Sequence, residues 1–220
     1  MYVKNFRELI EYMIAVFKER RFWFSVKYIF WVLFDRIRGV DYIKNEGYDK
    51  VGTTENEASV FQATRDIKYL CKILDEINIS SRDAILDLGS GKGYLLKIFA
   101  QKYPFNVVGG VELSSRLCNI AESNLRKEGI KNYKLYNINA MEFSDYDNYN
   151  YIYMFNPFPS CVMKSVMRNI EEHIKKFPQK KMCIIYRNAL CNDDILASGI
   201  FYLKKRYPGK TSDYCVYCNF

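Results

Sequence analysis

Histidine is all but missing from this chain: one, His173, in 220 residues. A Ser-His-Asp triad or a histidine-based metal centre is hard to assemble from a single imidazole. Within "MRNIEEHIKKF" the residue is expected on a helix surface. Cysteine is not scarce, but metal-ligand spacing is. Cys71, Cys118, Cys161, Cys183 and Cys191 are scattered, and Cys215 and Cys218 form a lone C-x-x-C. A zinc ribbon needs a second such pair, and a redox motif sits between a strand and a helix. The pair is therefore expected at two positions of one strand in "DYCVYCNF". An odd cysteine count behind a start that does not read as a secretory leader points to a reducing, cytoplasmic compartment. No apolar run approaches the roughly 20 residues that span a bilayer. Repeats and low-complexity tracts are also missing.

What is present suits a globular protein: 49% apolar and 26% charged residues, enough for one domain with a terminal appendage. The net charge of +8 favours acidic partners without selecting nucleic acid, phosphorylated metabolites or anionic lipid. The appendage is residues 1–46, an aromatic and basic helical arm, and the main domain is 47–220. Residues 1–40 hold 11 of the 36 aromatic residues and eight Lys/Arg against four Asp/Glu. Phe22 to Phe34, "FWFSVKYIFWVLF", is apolar nearly all round a helix, flanked by Arg20, Arg21, Arg36 and Arg38. Three readings stand for the arm: packing against the main domain, an oligomer contact, or a peripheral membrane contact through residues 10–38.

Residues 47–59 read as a polar loop, and helical spacing of Val60/Phe61, Ile67, Leu70/Cys71 and Leu74 predicts a helix from about Glu57. Short apolar runs then alternate with helical segments. The runs are 84–88, 106–113, 133–138, 151–155 and 182–186, and the helices 93–102, 115–128, 161–177 and 189–198. Such alternation predicts parallel strands with crossover helices on both faces. The tail differs: "GIFYLKKRY" and "DYCVYCNF" are separated only by "PGKTS", so an antiparallel hairpin should close one edge of the sheet.

"ILDLGSGKGY" puts Asp87, Gly89, Gly91 and Gly93 between the first strand and a helix. Glycines there let the backbone turn tightly and approach a ligand. A phosphate loop would place its lysine elsewhere than Lys92, and a dinucleotide loop would read G-x-G-x-x-G. The acid two residues before the first glycine suits a cationic ligand portion, such as the sulfonium and ammonium of S-adenosylmethionine. Glu112 ends the next strand, where a carboxylate can accept both ribose hydroxyls. Asn139 and Ala140 end the third strand, where an amide can meet an adenine edge, and Asn156 ends the fourth.

These residues resemble the class I (Rossmann-like) S-adenosylmethionine-dependent methyltransferases. "ILDLGSGKG" is similar to that family's first motif, "VVGGVEL" to its second, "INA" to its third and "FNPF" to its fourth, over about residues 55–220. The resemblance implies an α/β fold: a doubly wound, mostly parallel seven-stranded sheet with an antiparallel C-terminal hairpin, plus the N-terminal helical arm. It also implies S-adenosyl-L-methionine held by Asp87, Gly89, Ser90, Gly91, Gly93, Tyr94, Glu112, Leu113, Asn139 and Ala140. A narrower likeness, in "DEINISSRDAILDLGSGKGY" and "GGVELSSRLCNIAESN", is to nucleosomal lysine methyltransferases without a SET domain and small bacterial proteins like them. It adds a contact to the methionine part of the cofactor near Thr64.

"FNPF" also resembles the Asn-Pro-Pro-aromatic loop of amino-methylating enzymes, which makes Asn156 the catalytic candidate, its carbonyl gripping an acceptor nitrogen. Phe158 stands at that loop's second proline and Pro159 at its aromatic. The expected activity is methylation of a nitrogen on a protein side chain or small molecule. A nucleic-acid acceptor is the alternative, suggested by "KFPQKK" and "LKKRYPGK", whose other reading is solvated surface. A membrane-peripheral module that binds the cofactor without turnover is the third reading.

Overall fold

The computed structural model describes residues 10–11, 22–63, 67–209 and 211–220. Its elements in chain order are α1 (Phe22–Ile37), α2 (Tyr48–Val51), α3 (Lys68–Ile77), β1 (Ala84–Leu88), α4 (Tyr94–Lys102), β2 (Val107–Glu112) and α5 (Ser115–Lys127). They continue with β3 (Tyr133–Asn137), β4 (Tyr151–Phe155), α6 (Ser160–Lys176), β5 (Cys183–Arg187), α7 (Asn192–Leu196), β6 (Tyr202–Tyr207) and β7 (Tyr214–Cys218). The seven strands form one sheet in the order β3-β2-β1-β4-β5-β7-β6. The first five pair in parallel, and β7 runs antiparallel between β5 and β6.

Strand β1 is central and buried throughout, as an uninterrupted apolar run covered on both faces should be. On one face Ile85, Tyr153, Ile185 and Val216 pack with Leu70, Ile73 and Leu74 of α3 and Leu96 and Phe99 of α4. On the other, Leu86, Ile152, Met154, Ile184 and Tyr217 pack with Met163, Val166 and Ile170 of α6 and Ile195 of α7. Each fully buried Leu or Ile there contributes about 1.5–3 kcal/mol relative to exposure. The order reverses between β1 and β4, so the carboxyl ends of β1, β2 and β4 open a crevice at the switch point.

Four expectations change. The helix placed from Glu57 begins at Lys68, and residues 57–63 have no regular structure. Ile67, Leu70 and Leu74 keep the helical spacing, whereas Val60 and Phe61 are apolar because they line the crevice. The helix expected over 189–198 is the shorter α7. His173 is buried rather than on a surface, on the inner face of α6 with Nδ1 3.2 Å from Asp147 Oδ1 and its ring between Tyr146 and Phe177. Cys215 and Cys218 do share strand β7, but Cys218 is joined by a disulfide to Cys183, directly opposite on β5, while Cys215 is free and buried.

Helix α1 ends at Ile37, and Asp35 turns the chain back by accepting from the main-chain N–H groups of Tyr42 (2.8 Å) and Ile43 (3.1 Å). Tyr28, Val40, Tyr42 and Ile43 form a small core that lays residues 40–46 against the glycine loop after β1.

Candidate active site

The loop between β1 and α4 is shaped by its glycines. Gly89 and Ser90 both donate to the carbonyl of Val111 at 2.9 and 3.0 Å, which folds the chain over the end of β2. Gly89 (φ 82°) and Gly91 (φ 55°) lie in the left-handed region that side chains disfavour. Space forbids one as well: a Cβ at Gly89 would sit 2.6 Å from Pro157 Cβ, and one at Gly91 2.6 Å from Phe61 Cε2. The loop is thus closed in between the Asn-Pro turn after β4 and the 57–63 segment. What remains is a cavity of about 200 Å³.

Two buried carboxylates face this cavity. Glu112 is 8% exposed; its Oε2 accepts from the N–H of Gly91 and its Oε1 from that of Ser114, each at 2.8 Å. Burial raises the Glu112 carboxyl above its ordinary value, and these main-chain donors offset part of the rise. Asp87 is 3% exposed, and burial pushes its carboxyl up to about 8, with the Glu112 charge adding to the effect. Burial thus favours the protonated Asp87 carboxyl at neutral pH, and a cation placed beside it would favour the ionised form.

The buried Lys92 ammonium does not neutralise this pair. Lys92 is 1% exposed, and its Nζ donates to Asp41 Oδ2 (2.9 Å), the carbonyl of Lys44 (2.8 Å) and Glu46 Oε1 (3.3 Å). Asn124 of α5 completes the clamp: Oδ1 accepts from Asp41 N–H, and Nδ2 donates to the carbonyls of Asp41 and Lys92. Tyr42 beside it lines the cavity, edge-on to Tyr94 at 5.5 Å.

At the other strand ends, Asn139 Oδ1 accepts from Met141 N–H at 2.9 Å, an Asx turn that aspartate would also make. Asn156 has φ 40°, and its Oδ1 accepts from the Tyr186 hydroxyl at 3.2 Å. The carbonyl of Pro157 accepts from Ser59 N–H at 2.8 Å. Phe158 is buried beneath α6, and the Arg187 guanidinium lies 4.3 Å over the Phe155 ring.

Of the residues singled out from sequence, Asp87, Gly89, Ser90, Gly91, Tyr94, Glu112, Leu113, Asn139, Ala140 and Asn156 all line this one cavity. Gly93 does not; it stands at the start of α4 against Ala121. Thr64 lies outside the described residues. Sequence reading missed Tyr42, Phe61, Tyr186 and the Lys92 clamp. Lys92 carried a signal, being the one charged side chain inside the glycine loop, but its partners are 46–51 residues away.

Known proteins share this framework. A family model described as a methyltransferase domain matches residues 79–211. The rRNA adenine N-6-methyltransferase of Lysinibacillus sphaericus is 25% identical over 102 residues, 46% of this chain. The match spans only 40% of that relative's length. Among solved structures, the RNA methyltransferase from Salinibacter ruber, in complex with S-adenosyl-L-homocysteine, superposes with a TM-score of 0.54 at 12% identity, covering 70% of this chain and 92% of that one. A S-adenosylmethionine-dependent methyltransferase from Clostridium acetobutylicum gives 0.52 at 14% identity, over 69% and 88%. At such identities these structural likenesses show the fold.

Proposed function

This chain belongs to the methyltransferase-domain family, and from that premise we propose that it uses S-adenosylmethionine to methylate a nitrogen on a protein side chain or small molecule. The observation that carries the reading is the pair of buried carboxylates, Asp87 and Glu112, facing a cavity whose lining Lys92 has its ammonium engaged by Asp41, Lys44 and Glu46 instead. The site wants a cation, and S-adenosylmethionine supplies one together with an activated methyl group. The Glu112 carboxylate accepts main-chain N–H groups of Gly91, Ser114 and Leu113, which leaves it lone-pair capacity for a ribose hydroxyl. Asp87 favours a positive group above the glycine turn. Asn139 and Ala140 border the adenine end, with Ser90, Tyr94 and Leu113 along the slot, and Thr64 is assigned to the methionine end.

Asn156 is the group assigned to the acceptor. The Tyr186 hydroxyl fixes its amide, and the second lone pair of Oδ1 is available to align an amine. Positioning of this kind suffices for a neutral amine, whereas a hydroxyl acceptor would need a base beside it.

The test uses tritiated S-adenosylmethionine with the purified chain and separate RNA, protein and small-molecule fractions. Label is expected in the protein or small-molecule fraction, and Asn156→Ala should lower turnover at least about tenfold with cofactor affinity kept within about threefold. Parallel losses of turnover and cofactor affinity would make Asn156 part of the cofactor pocket.

The names of the Lysinibacillus and Salinibacter proteins favour a second reading, an RNA base as acceptor. Against it, Phe158 is buried in the core and the Phe155 face is covered by Arg187, so neither offers a free wall for stacking a flat base. Label in the RNA fraction would reverse this choice.

A further inference from the structure

Helix α1 carries most of its apolar residues on the outside. The residues it presents to the body are Ser25, Tyr28 and Asp35, at most 6% exposed, with Ile29 and Val32 half-buried beside them. Those it presents outward are Val26, Phe30, Trp31, Leu33, Phe34 and Ile37, between 38% and 84% exposed. A surface helix of a globular protein keeps that outward face polar. Three of the outward rings also pack on one another, Phe30 with Trp31 at 5.8 Å and with Phe34 at 6.3 Å, and Trp31 with Phe34 at 5.9 Å. They make one continuous apolar patch, of the kind that marks an interaction site.

The exposed charges carried by the helix and the turn after it have one sign. Lys27, Arg36 and Arg38 are exposed, and the helix's sole carboxylate, Asp35, is buried and engaged by Tyr42 and Ile43. The C-terminal end of the helix is held in place by α5, where Lys127 bonds to the carbonyl of Gly39 and Arg38 to Glu128. The patch is therefore presented on a fixed support.

We propose that this face docks on an anionic lipid surface, with α1 lying flat at headgroup level. Aromatic and aliphatic side chains enter the boundary region there while the basic rim pairs with lipid phosphates. The helix has 16 residues, and no helix among the described residues is long and apolar enough to cross a membrane. A second copy is the poorer occupant, because a two-fold contact sets the face against itself and opposes like charges. The clamp from residues 41–46 to Lys92 carries the docked helix's position to the glycine loop, so the cavity would open close to the lipid.

The test is flotation of the full chain with phosphatidylcholine vesicles, with and without phosphatidylglycerol, and of the variant Phe30→Ser/Trp31→Ser/Phe34→Ser. These side chains are exposed, and an unchanged thermal midpoint is the check that the variant folds. The chain is expected to float with phosphatidylglycerol vesicles, less so at high salt, and the variant's bound fraction to fall at least about tenfold. No flotation, or flotation unaltered by the three substitutions, would overturn the proposal. So would a dimer in sedimentation that the variant converts to monomer without any vesicle binding, which would make the face a contact between copies.

Discussion

Replacing Lys92 with methionine separates the arm from the glycine loop with almost no change of shape. The Lys92 side chain is fully buried, and so, at 1% exposure, is that of its partner Glu46. Removing one member of a buried pair leaves an uncompensated charge and costs about 3–5 kcal/mol. Arg116, with Nη2 3.7 Å from Glu46 Oε1, takes over part of the role, and Asp41, 40% exposed, is resolvated cheaply. The loss should therefore sit near the lower end, about 3 kcal/mol, which for a chain of this size lowers the thermal midpoint by about 6–12 °C. Burial alone would raise the Glu46 carboxyl, but the charge and hydrogen bond of Lys92, with help from Arg116, hold it below its ordinary 4.5. A carboxyl depressed on folding stabilises above its unfolded value and loses that contribution as pH falls through the folded one. The penalty of Lys92→Met should then be full at pH 7 and shrink below about pH 4.5. The assay is differential scanning calorimetry of Lys92→Met, Glu46→Gln and the double variant at both pH values. The double variant should be more stable than Lys92→Met alone, since no charge is left buried and unpaired. A Lys92→Met midpoint within about 2 °C of wild type, or strictly additive losses, would refute the clamp.

Asp87, raised to about 8 by burial, makes cofactor binding pH-dependent. Affinity for S-adenosylmethionine should rise with pH up to about 8 and then level off, with proton release at pH 7 that Asp87→Asn abolishes. The sign for folding is opposite: a carboxyl raised on folding stabilises at low pH, so Asp87 should cost stability as pH climbs from about 4 to about 8. Gly91→Ala places a Cβ against the Phe61 ring at a left-handed residue, costing about 1–2 kcal/mol before the ring moves, so S-adenosylhomocysteine affinity measured by calorimetry should drop about tenfold or more. Tyr186→Phe removes the hydroxyl that orients Asn156 Oδ1, and steady-state kinetics should show a several-fold lower kcat with KM for the cofactor unchanged.

The sheet was legible because its strands announce themselves. The runs 84–88 and 151–155 are strands β1 and β4 at those bounds, the other parallel strands are off by one residue at their ends, and the two runs of the tail by one to three. Buried parallel strands write near-continuous apolar runs, and the carboxyl-edge residues follow from where those runs stop. Asp87, Glu112, Asn139 and Asn156 were placed on one crevice by that logic alone, and they do line one cavity. The 57–63 segment misled because Val60 and Phe61 are apolar for the sake of a cavity wall, and local periodicity does not distinguish a wall from a helix face. Lys92 was illegible for another reason. Its three acceptors come from residues 41, 44 and 46, and nothing in a linear pattern tells that an arm folds back on the loop. His173 was taken for a surface residue from its charged neighbours, although it follows Ile170 by three positions on the buried face of α6.

Titration calorimetry of the full chain with S-adenosylhomocysteine, beside Glu112→Ala, tests the central claim most directly. Glu112 is assigned both ribose hydroxyls through charge-assisted hydrogen bonds, so the account expects one-to-one binding to the wild type and affinity about a hundredfold lower in the variant. Absence of binding to the wild type, or equal affinity in the two proteins, would contradict it.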